Sequence, residues 1–275
     1  MKTGSVRAGT ADGTSAGHTG CHSECRMSTG STQGFLLLPL VVCLVLSIAG
    51  CASSPPKALS RIEDDGSVTE DSRIAKLPDV VWDFLETNGW NLDSYADSDL
   101  SDLSRYQTHV QRYECDADVG SIWEHYRWAK PDEAWDTRMT RLGIAWDPSV
   151  QRYFTPEDGD LEAFLEGQVY VLELRLLGFY RLPVAFRIAR LDQNSRIIEF
   201  VYLQENKSNG LQHIVFKSGP EGRNGPTTII EHSSWFRSEN PGRASFLYRP
   251  FHESFIDDFH RSLARSGGYD LRTIR

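Results

Sequence analysis

The segment Ala244–Ser266, ASFLYRPFHESFIDDFHRSLARS, decides the fold of this chain. Its apolar residues recur at helical spacing, and two glycines follow it and stop the helix. Phe251, Phe255 and Phe259 succeed one another at intervals of four, slightly more than one helical turn. The segment therefore predicts one long amphipathic helix whose inner face buries these three rings.

Several short runs before this helix alternate apolar and polar residues, as half-buried strands do. Gln168–Leu177 is the clearest, and Asn209-Gly210 predicts a tight hairpin turn before one of the later runs. Two short helices, the first capped by Asp118, are predicted between the first two strands. The other predicted strands are Thr108–Cys115, Leu142–Trp146, Val184–Leu191, Arg196–Gln204, Leu211–Lys217 and Thr227–Phe236.

Consecutive antiparallel strands followed by a terminal helix predict an α+β fold. We expect a curved antiparallel sheet of about six to seven strands packed on the long C-terminal helix, with two short helices after the first strand. This order of elements over Thr108–Ser266 resembles the helix-grip fold of the START-like (SRPBCC) superfamily. The resemblance implies a cavity between sheet and helix that holds apolar ligands, and in a minority of members catalyses cyclisation or dehydration. It implies no shared catalytic residues.

A second informative segment is Phe35–Cys51, FLLLPLVVCLVLSIAGC, an uncharged run that ends in small residues before a cysteine. This layout is typical of an export signal, and the run is short for a membrane span, which needs about 20 apolar residues. Ile48-Ala49-Gly50-Cys51 resembles the lipobox of bacterial lipoproteins. The resemblance implies cleavage before Cys51 and acylation of that cysteine. The alternative is an uncleaved transmembrane anchor with an incidental cysteine.

These patterns divide the chain into four parts. Residues 1–50 are a predicted signal peptide, for which Met27 is an alternative start, and residues 51–75 are a polar tether. Residues 76–106 form an N-terminal helix and loop, and residues 107–268 form the START-like domain. Ala52 and Ser53 follow the cysteine in place of the aspartate that marks inner-membrane retention in enteric lipoproteins. We therefore expect the periplasmic face of the outer membrane if the host is diderm.

The charge of the mature chain argues against two kinds of partner. Of 29 basic and 38 acidic residues, 26 and 36 remain after residue 50, which gives a net charge of −10. Such an acidic chain without a basic tract is unsuited to nucleic acid or to purely electrostatic binding of anionic lipid.

Two cysteines remain after processing, Cys51 and Cys115, and acylation of the first leaves no intramolecular disulfide.

Candidate ligand-binding residues follow from the predicted cavity. His252 lies on the inner face of the long helix, where it can contact a ligand head group or satisfy a hydrogen bond in the core. Phe255 and Phe259 share that face. On the strands, Glu199 or His213 points inward, because a register slip of one residue exchanges the two.

A strip of Glu253, Asp257 and His260 has spacings that suit a divalent metal. A solvated helix face, with Asp257 paired to Arg261 one turn later, explains the same spacing. We predict the solvated face, and we predict no metal and no cofactor.

The leading hypothesis is a lipid-anchored module of the cell envelope that binds or carries a lipid or other apolar small molecule. One alternative is a cyclase- or dehydratase-type enzyme that pairs His252 with a strand carboxylate. A second is a structural envelope domain whose interior is filled by its own aromatic residues. An interior cavity of about 300 Å3 or more would favour binding.

Overall fold

The computed structural model describes residues 74–159, 161, 163–176, 178–206, 208–222, 225–238 and 241–274, without the side chains of 75, 208, 238 and 241–248. The predicted signal peptide, Cys51 and nearly all of the tether lie outside the described residues. The predicted strands and helices lie almost entirely within them.

Four α-helices and nine strands make up most of the described chain. An N-terminal helix precedes the first strand, two short helices follow that strand, and the longest helix comes after the eighth. In chain order they are α1 (Asp79–Asn88), β1 (Gln107–Cys115), α2 (Val119–Arg127), α3 (Pro131–Trp135), β2 (Thr140–Asp147), β3 (Arg152–Phe154), β4 (Val169–Leu176), β5 (Tyr180–Asp192), β6 (Ile197–Tyr202), β7 (Ser208–Gly222), β8 (Gly225–Ser238), α4 (Pro241–Gly267) and β9 (Leu271–Ile274).

The nine strands form one antiparallel sheet in the order β3-β2-β4-β5-β6-β7-β8-β1-β9. With α4 on one face and two short helices after β1, this is the predicted α+β helix-grip fold. The sheet has more strands than the expected six to seven because β3 and β9 add short edges. Runs of three and four residues are too short to show an alternating pattern.

Helix α4 covers the inner face of the sheet, but its buried stripe differs from the predicted one. Phe259 is 2% exposed and Ile256 and Leu263 are fully buried, whereas Phe251 and Phe255 are only half-buried. The prediction that all three phenylalanines are buried is therefore wrong for two of them. The stripe includes His252 and turns away from Phe251, because residues at intervals of three and four share a face better than a strict interval of four.

The predicted N-terminal helix is present as α1, and it covers the outer face of the sheet, a position that the sequence pattern did not predict. Val81, Phe84 and Leu85 pack there in a second apolar cluster that includes Val171. Gly143 permits this close approach, because a Cβ at that position would lie 2.7 Å from Val81 Cγ2. The N-terminal helix therefore seals a second core.

The predicted hairpin turn at Asn209-Gly210 is wrong, because both residues lie within strand β7. A Cβ on Gly210 would come within 2.2 Å of the carbonyl oxygen of Trp235 on the neighbouring strand. Gly210 has no side chain, which lets the two strands approach each other closely. In the sequence, a glycine with this role looks the same as a turn glycine.

Two further predictions concern single features. Asp118 caps α2 as predicted, since its Oδ1 accepts hydrogen bonds from the backbone of Gly120 and Ser121 at 3.0 Å each. Cys115 is a buried free thiol at the end of β1. Within the described residues, none of the helices has the length and apolarity needed to cross a membrane.

Candidate functional site

The site lies near one end of the sheet, which we call the mouth end. Neighbouring strands are antiparallel, so the β4–β5 connection, the β6–β7 connection and the end of β8 all fall there. Helix α4 begins directly after β8 and therefore starts at the same end. The β2–β3 turn is at the opposite end, because Trp146 near the end of β2 pairs with Val169 at the start of β4.

A cavity lies between the inner face of the sheet and α4, close to the mouth end. Its volume is only about 10 Å3, space for roughly one water molecule and far below the 300 Å3 of a small-molecule site. Aromatic rings form most of the wall, and polar groups close one side. The lining residues are Trp135, Phe186, Phe200, Tyr202, Gln212, His232, Phe255 and Phe259.

Gln212 on β7 is the centre of a buried hydrogen-bond network beside this cavity. Its Oε1 accepts from Ser234 Oγ at 2.6 Å and from His232 Nε2 at 2.7 Å. Its Nε2 donates to Tyr202 Oη at 2.7 Å and to His252 Nε2 at 2.6 Å. One amide thus joins strands β6, β7 and β8 to helix α4.

The network continues from His232 on β8 through His260 on α4 to Tyr126 on α2. His260 Nε2 donates to His232 Nδ1 at 2.9 Å, and Tyr126 Oη on α2 donates to His260 Nδ1 at 2.7 Å. We call these residues the polar cluster. Its members are Tyr126, Tyr202, Gln212, His232, Ser234, His252 and His260.

The orientation of the Gln212 amide fixes the tautomers along the network. Because Oε1 accepts from His232, that imidazole carries its proton on Nε2 and offers Nδ1 to His260. His260 therefore carries its proton on Nε2 and accepts from Tyr126. Reversing the amide would reverse each of these bonds, so the glutamine and the histidines act as one hydrogen-bonded unit.

Burial keeps the three histidines of the polar cluster neutral. Desolvation lowers the pKa of His252 and of His260 to about 3 in each case. The pKa of His232 is lowered well below its ordinary value, first by desolvation and then by the neighbouring His260 and His252. Neutral imidazoles can each accept one hydrogen bond and donate another, which is the arrangement that the network requires.

Trp135 lines the cavity and packs its ring against two phenylalanines of α4. Its ring stacks on Phe259 at 4.5 Å and on Phe255 at 5.8 Å between centroids. Its Nε1–H is buried with no hydrogen-bond acceptor among the residues that the structure describes. Buried donors are rarely left unpaired, because desolvation without a partner costs about 1–3 kcal/mol.

Three of the five predicted ligand-binding residues are at this site. His252 is buried in the polar cluster, and Phe255 and Phe259 line the cavity. Glu199 and His213 are instead opposite each other on β6 and β7, with side chains 24% and 25% exposed on the outer face. The expectation that one of them points into the cavity is corrected, because their pairing register places both on the same side of the sheet.

Two strand carboxylates that could serve the enzyme hypothesis, Glu199 and Glu231, do not reach His252. Glu199 lies near His213 on the outer face, and Glu231 there binds Arg112 at 2.7 Å and Lys217 at 3.2 Å. The acid–base pair of the enzyme hypothesis is therefore not formed with either strand carboxylate.

The predicted solvated strip on α4 is only partly correct. Asp257 pairs with Arg261 at 2.6 Å as predicted, but His260 is fully buried in the polar cluster. The helix turns His260 towards β8 because it lies eight residues after buried His252, on the same side of α4. Across the described part of the chain, the structure shows no group of three or more His, Cys, Asp or Glu side chains able to hold a metal.

The strand members of the polar cluster are not among the five predicted ligand-binding residues. Gln212 alternates with Ile214 and Phe216 along β7, and His232 and Ser234 alternate with Ile230 along β8. These polar residues alternate with apolar residues on the same side of each strand. This alternation could have predicted that their side chains face inward.

A larger depression lies on the surface, near the end of α4. It has a volume of about 440 Å3 and is an open groove. Its lining includes Ser121, His125, Tyr269 and the carboxylates of Asp116 and Asp270. It is separate from the interior cavity and shares no lining residue with it.

Comparison with known proteins gives matches in structure alone. No protein-family description and no curated protein sequence matches the chain. Norcoclaurine synthase from Thalictrum flavum, solved with dopamine and hydroxybenzaldehyde, is similar at 10% identity, with 60% of this chain and 90% of that chain covered and a TM-score of 0.41. Major latex-like protein 151 from Panax ginseng is similar at 9% identity, with 59% and 97% covered and a TM-score of 0.43. Similarity at this level indicates neither an activity nor a ligand for this chain.

Proposed function

We propose that this chain is an envelope lipoprotein whose helix-grip domain binds a small apolar molecule between α4 and the sheet. The observation that carries the proposal is the polar cluster, set against an otherwise aromatic wall. A glutamine and three histidines buried together must all be desolvated, and apolar residues of the same size would fill the core at less cost. A few polar groups at one side of an apolar cavity are typical of sites that orient a ligand.

The donors and acceptors of the cluster indicate the chemistry of the ligand. Tyr202 and the Gln212 amide border the cavity and can exchange an internal hydrogen bond for one to a hydroxyl or carbonyl group. The Nε1–H of Trp135, which meets no acceptor within the described part of the chain, is suited to an acceptor atom of the ligand. We therefore infer a molecule with an apolar, ring-containing body and one or two oxygen atoms.

Entry of such a molecule requires the cavity to open, because 10 Å3 holds no ligand of this kind. Phe255 is the side chain best placed to move, since it is half-buried and is held by ring contacts with Trp135 and His252. Pro250 lies five residues earlier in α4, where it removes one backbone hydrogen bond and weakens the helix near the mouth end. The described conformation is then the closed one.

The membrane attachment in this proposal comes from the sequence. Ile48-Ala49-Gly50-Cys51 ends an uncharged run, and the following polar tether connects it to the folded domain. Acylation at Cys51 would place the domain at the outer membrane in a diderm host. Replacing Cys51 with alanine should abolish palmitate labelling of the protein in cells, and labelling at the wild-type level would contradict the proposal.

A second function is favoured by one observation, the volume of the cavity. An interior filled by Trp135, Phe255 and Phe259 describes a structural envelope domain that binds no ligand. The two functions differ in a property that can be measured directly. Protein purified from its native membrane either yields a stoichiometric apolar compound on extraction and mass spectrometry, or it does not.

The binding proposal is tested further with an aromatic probe, N-phenyl-1-naphthylamine, and two matched variants. His252→Gln alters the polar cluster, while His213→Gln makes the same change on the outer face. We expect saturable probe binding that is weakened in the first variant and retained in the second. Absence of both a co-purified compound and saturable probe binding would establish the structural alternative.

Equal binding by both variants, with equal stability, would remove His252 from the site. If His252 only satisfies a hydrogen bond in the core, the His252→Gln variant should unfold more readily and still bind the probe in its folded fraction. Measuring the urea midpoint of each variant beside its probe affinity separates these two roles.

A further inference from the structure

The hairpin between β4 and β5 ends in an exposed aromatic pair. Phe179 is 66% exposed and Tyr180 is 37% exposed, the former having the most exposed large apolar side chain among those described. Gly178, with φ of +80°, makes the turn that projects them. A phenylalanine so placed contributes nothing to the core, so its position needs a reason outside the fold.

Basic residues flank this tip. Arg175 and Arg181 are cross-strand partners immediately behind it, with side chains 36% and 56% exposed. Both are near the buried carboxylate of Glu173, at 2.9 and 3.4 Å, so these three side chains together carry one net positive charge. An aromatic pair backed by arginine is the composition found at the interface of a lipid bilayer, where rings enter the headgroup region and cations meet phosphate.

The tip is at the mouth end of the sheet. The β4–β5 connection shares that end with the β6–β7 connection and the start of α4. Whatever surface the tip contacts therefore also faces the region through which an apolar ligand would enter.

We propose that the Phe179–Tyr180 tip inserts into the interface of the membrane to which Cys51 attaches the chain, and so turns the mouth end towards the lipid. This inference rests on the lipid attachment of the proposed function. The anchor makes the bilayer the surface nearest to the domain at all times. The 24 residues from Cys51 to Ile74 span at most about 80 Å when extended, so they permit the contact without enforcing it.

The test uses the full lipidated protein in vesicles of phosphatidylcholine with brominated acyl chains, which quench tryptophan fluorescence on contact. Phe179→Trp places a reporter at the tip. Val150→Trp is the matched control, because Val150 is 61% exposed in the β2–β3 turn at the opposite end of the sheet. The wild-type protein supplies the background of the seven native tryptophans. Flotation of the vesicles in a density gradient confirms attachment in each sample.

We expect the added emission of the Phe179→Trp variant to be lost in brominated vesicles and retained in unbrominated ones. The added emission of the Val150→Trp variant should be the same in both. A Phe179→Trp variant that floats with its added emission unquenched would overturn the membrane contact of the tip and leave the lipid attachment intact. Equal quenching at both positions would overturn the preferred orientation. Wild-type protein that does not float would overturn the attachment on which both proposals rest.

Discussion

His232 Nδ1 lies 2.9 Å from His260 Nε2, and both imidazoles are buried between β8 and α4. The two nitrogen atoms share one hydrogen bond, so only one of them carries a proton at this contact. If both rings were protonated, two N–H groups and two positive charges would face each other in a buried site. The pair therefore couples the packing of α4 on the sheet to the neutrality of its histidines.

Acid should destabilise the fold through these residues. The pKa values of His252 and His260 are lowered to about 3, so below the ordinary value of 6.5 the unfolded chain binds more protons than the folded one. Stability is then complete above pH 6.5 and falls as the pH decreases towards 3. At pH 5 each such histidine should cost about 2 kcal/mol, at about 1.36 kcal/mol per pH unit. Urea unfolding between pH 7.5 and 5 measures this, and a constant midpoint would contradict it.

Gln212→Ala should be among the most destabilising polar substitutions in the chain. It removes an amide that hydrogen-bonds Tyr202, His232, Ser234 and His252. Each buried hydrogen bond that is lost without replacement costs about 1–3 kcal/mol, so the total loss should reach several kcal/mol. Gln107→Ala, on the exposed start of β1, should change stability by at most about 0.5 kcal/mol. Similar unfolding midpoints for the two variants would show that the polar cluster adds little to stability.

Phe251 and Phe259 of α4 should respond differently to truncation. Phe259→Ala removes a ring that stacks on Trp135 in the core and should cost about 3–5 kcal/mol. Phe251→Ala acts on a half-buried ring and should cost less than half as much. Chemical denaturation of both variants tests the difference. Equal losses of stability in the two variants would support the original prediction that both rings are buried.

Gly143 and Val81 should show strong coupling in a double-mutant cycle. Gly143→Ala places a methyl group 2.7 Å from Val81 Cγ2 and 2.8 Å from the carbonyl oxygen of Val171, so α1 must shift away from the sheet. Val81→Ala removes the first clash but not the second. The double variant should therefore be more stable than the sum of the single changes predicts, by about 0.5–3 kcal/mol. Simple additivity would place α1 farther from β2 than the structure does.

The predicted tether and the N-terminal helix should differ in their importance for folding. Residues 74–275 should unfold cooperatively as a separate polypeptide, because Leu77, Val81 and Leu85 supply the core that covers the outer face. A chain that starts at residue 107 lacks α1 and exposes Val169 and Val171, so it should be molten or insoluble. Near-UV circular dichroism and thermal unfolding distinguish the two. A well-folded shorter chain would show that the second core is dispensable.

Local patterns in the sequence determined the fold class. The alternation in Gln168–Leu177 and the apolar periodicity of Ala244–Ser266 predicted the sheet and the long helix, because each period reflects which side chains face the core. The Asp118 cap was likewise readable, since a cap satisfies backbone donors within three residues of itself.

Tertiary structure decided the site, because the polar cluster joins residues far apart in the chain. Gln212, His232 and His252 belong to three elements, and only their packing shows that one amide connects them. The pairing register of β6 and β7 placed Glu199 and His213 together on the outer face, a fact that depends on loop geometry rather than on local pattern. The order of elements predicted that the sheet and the helix enclose an interior. The volume of a cavity is a small difference between large packed volumes, so only the packing of the side chains determined that aromatic rings nearly fill this interior.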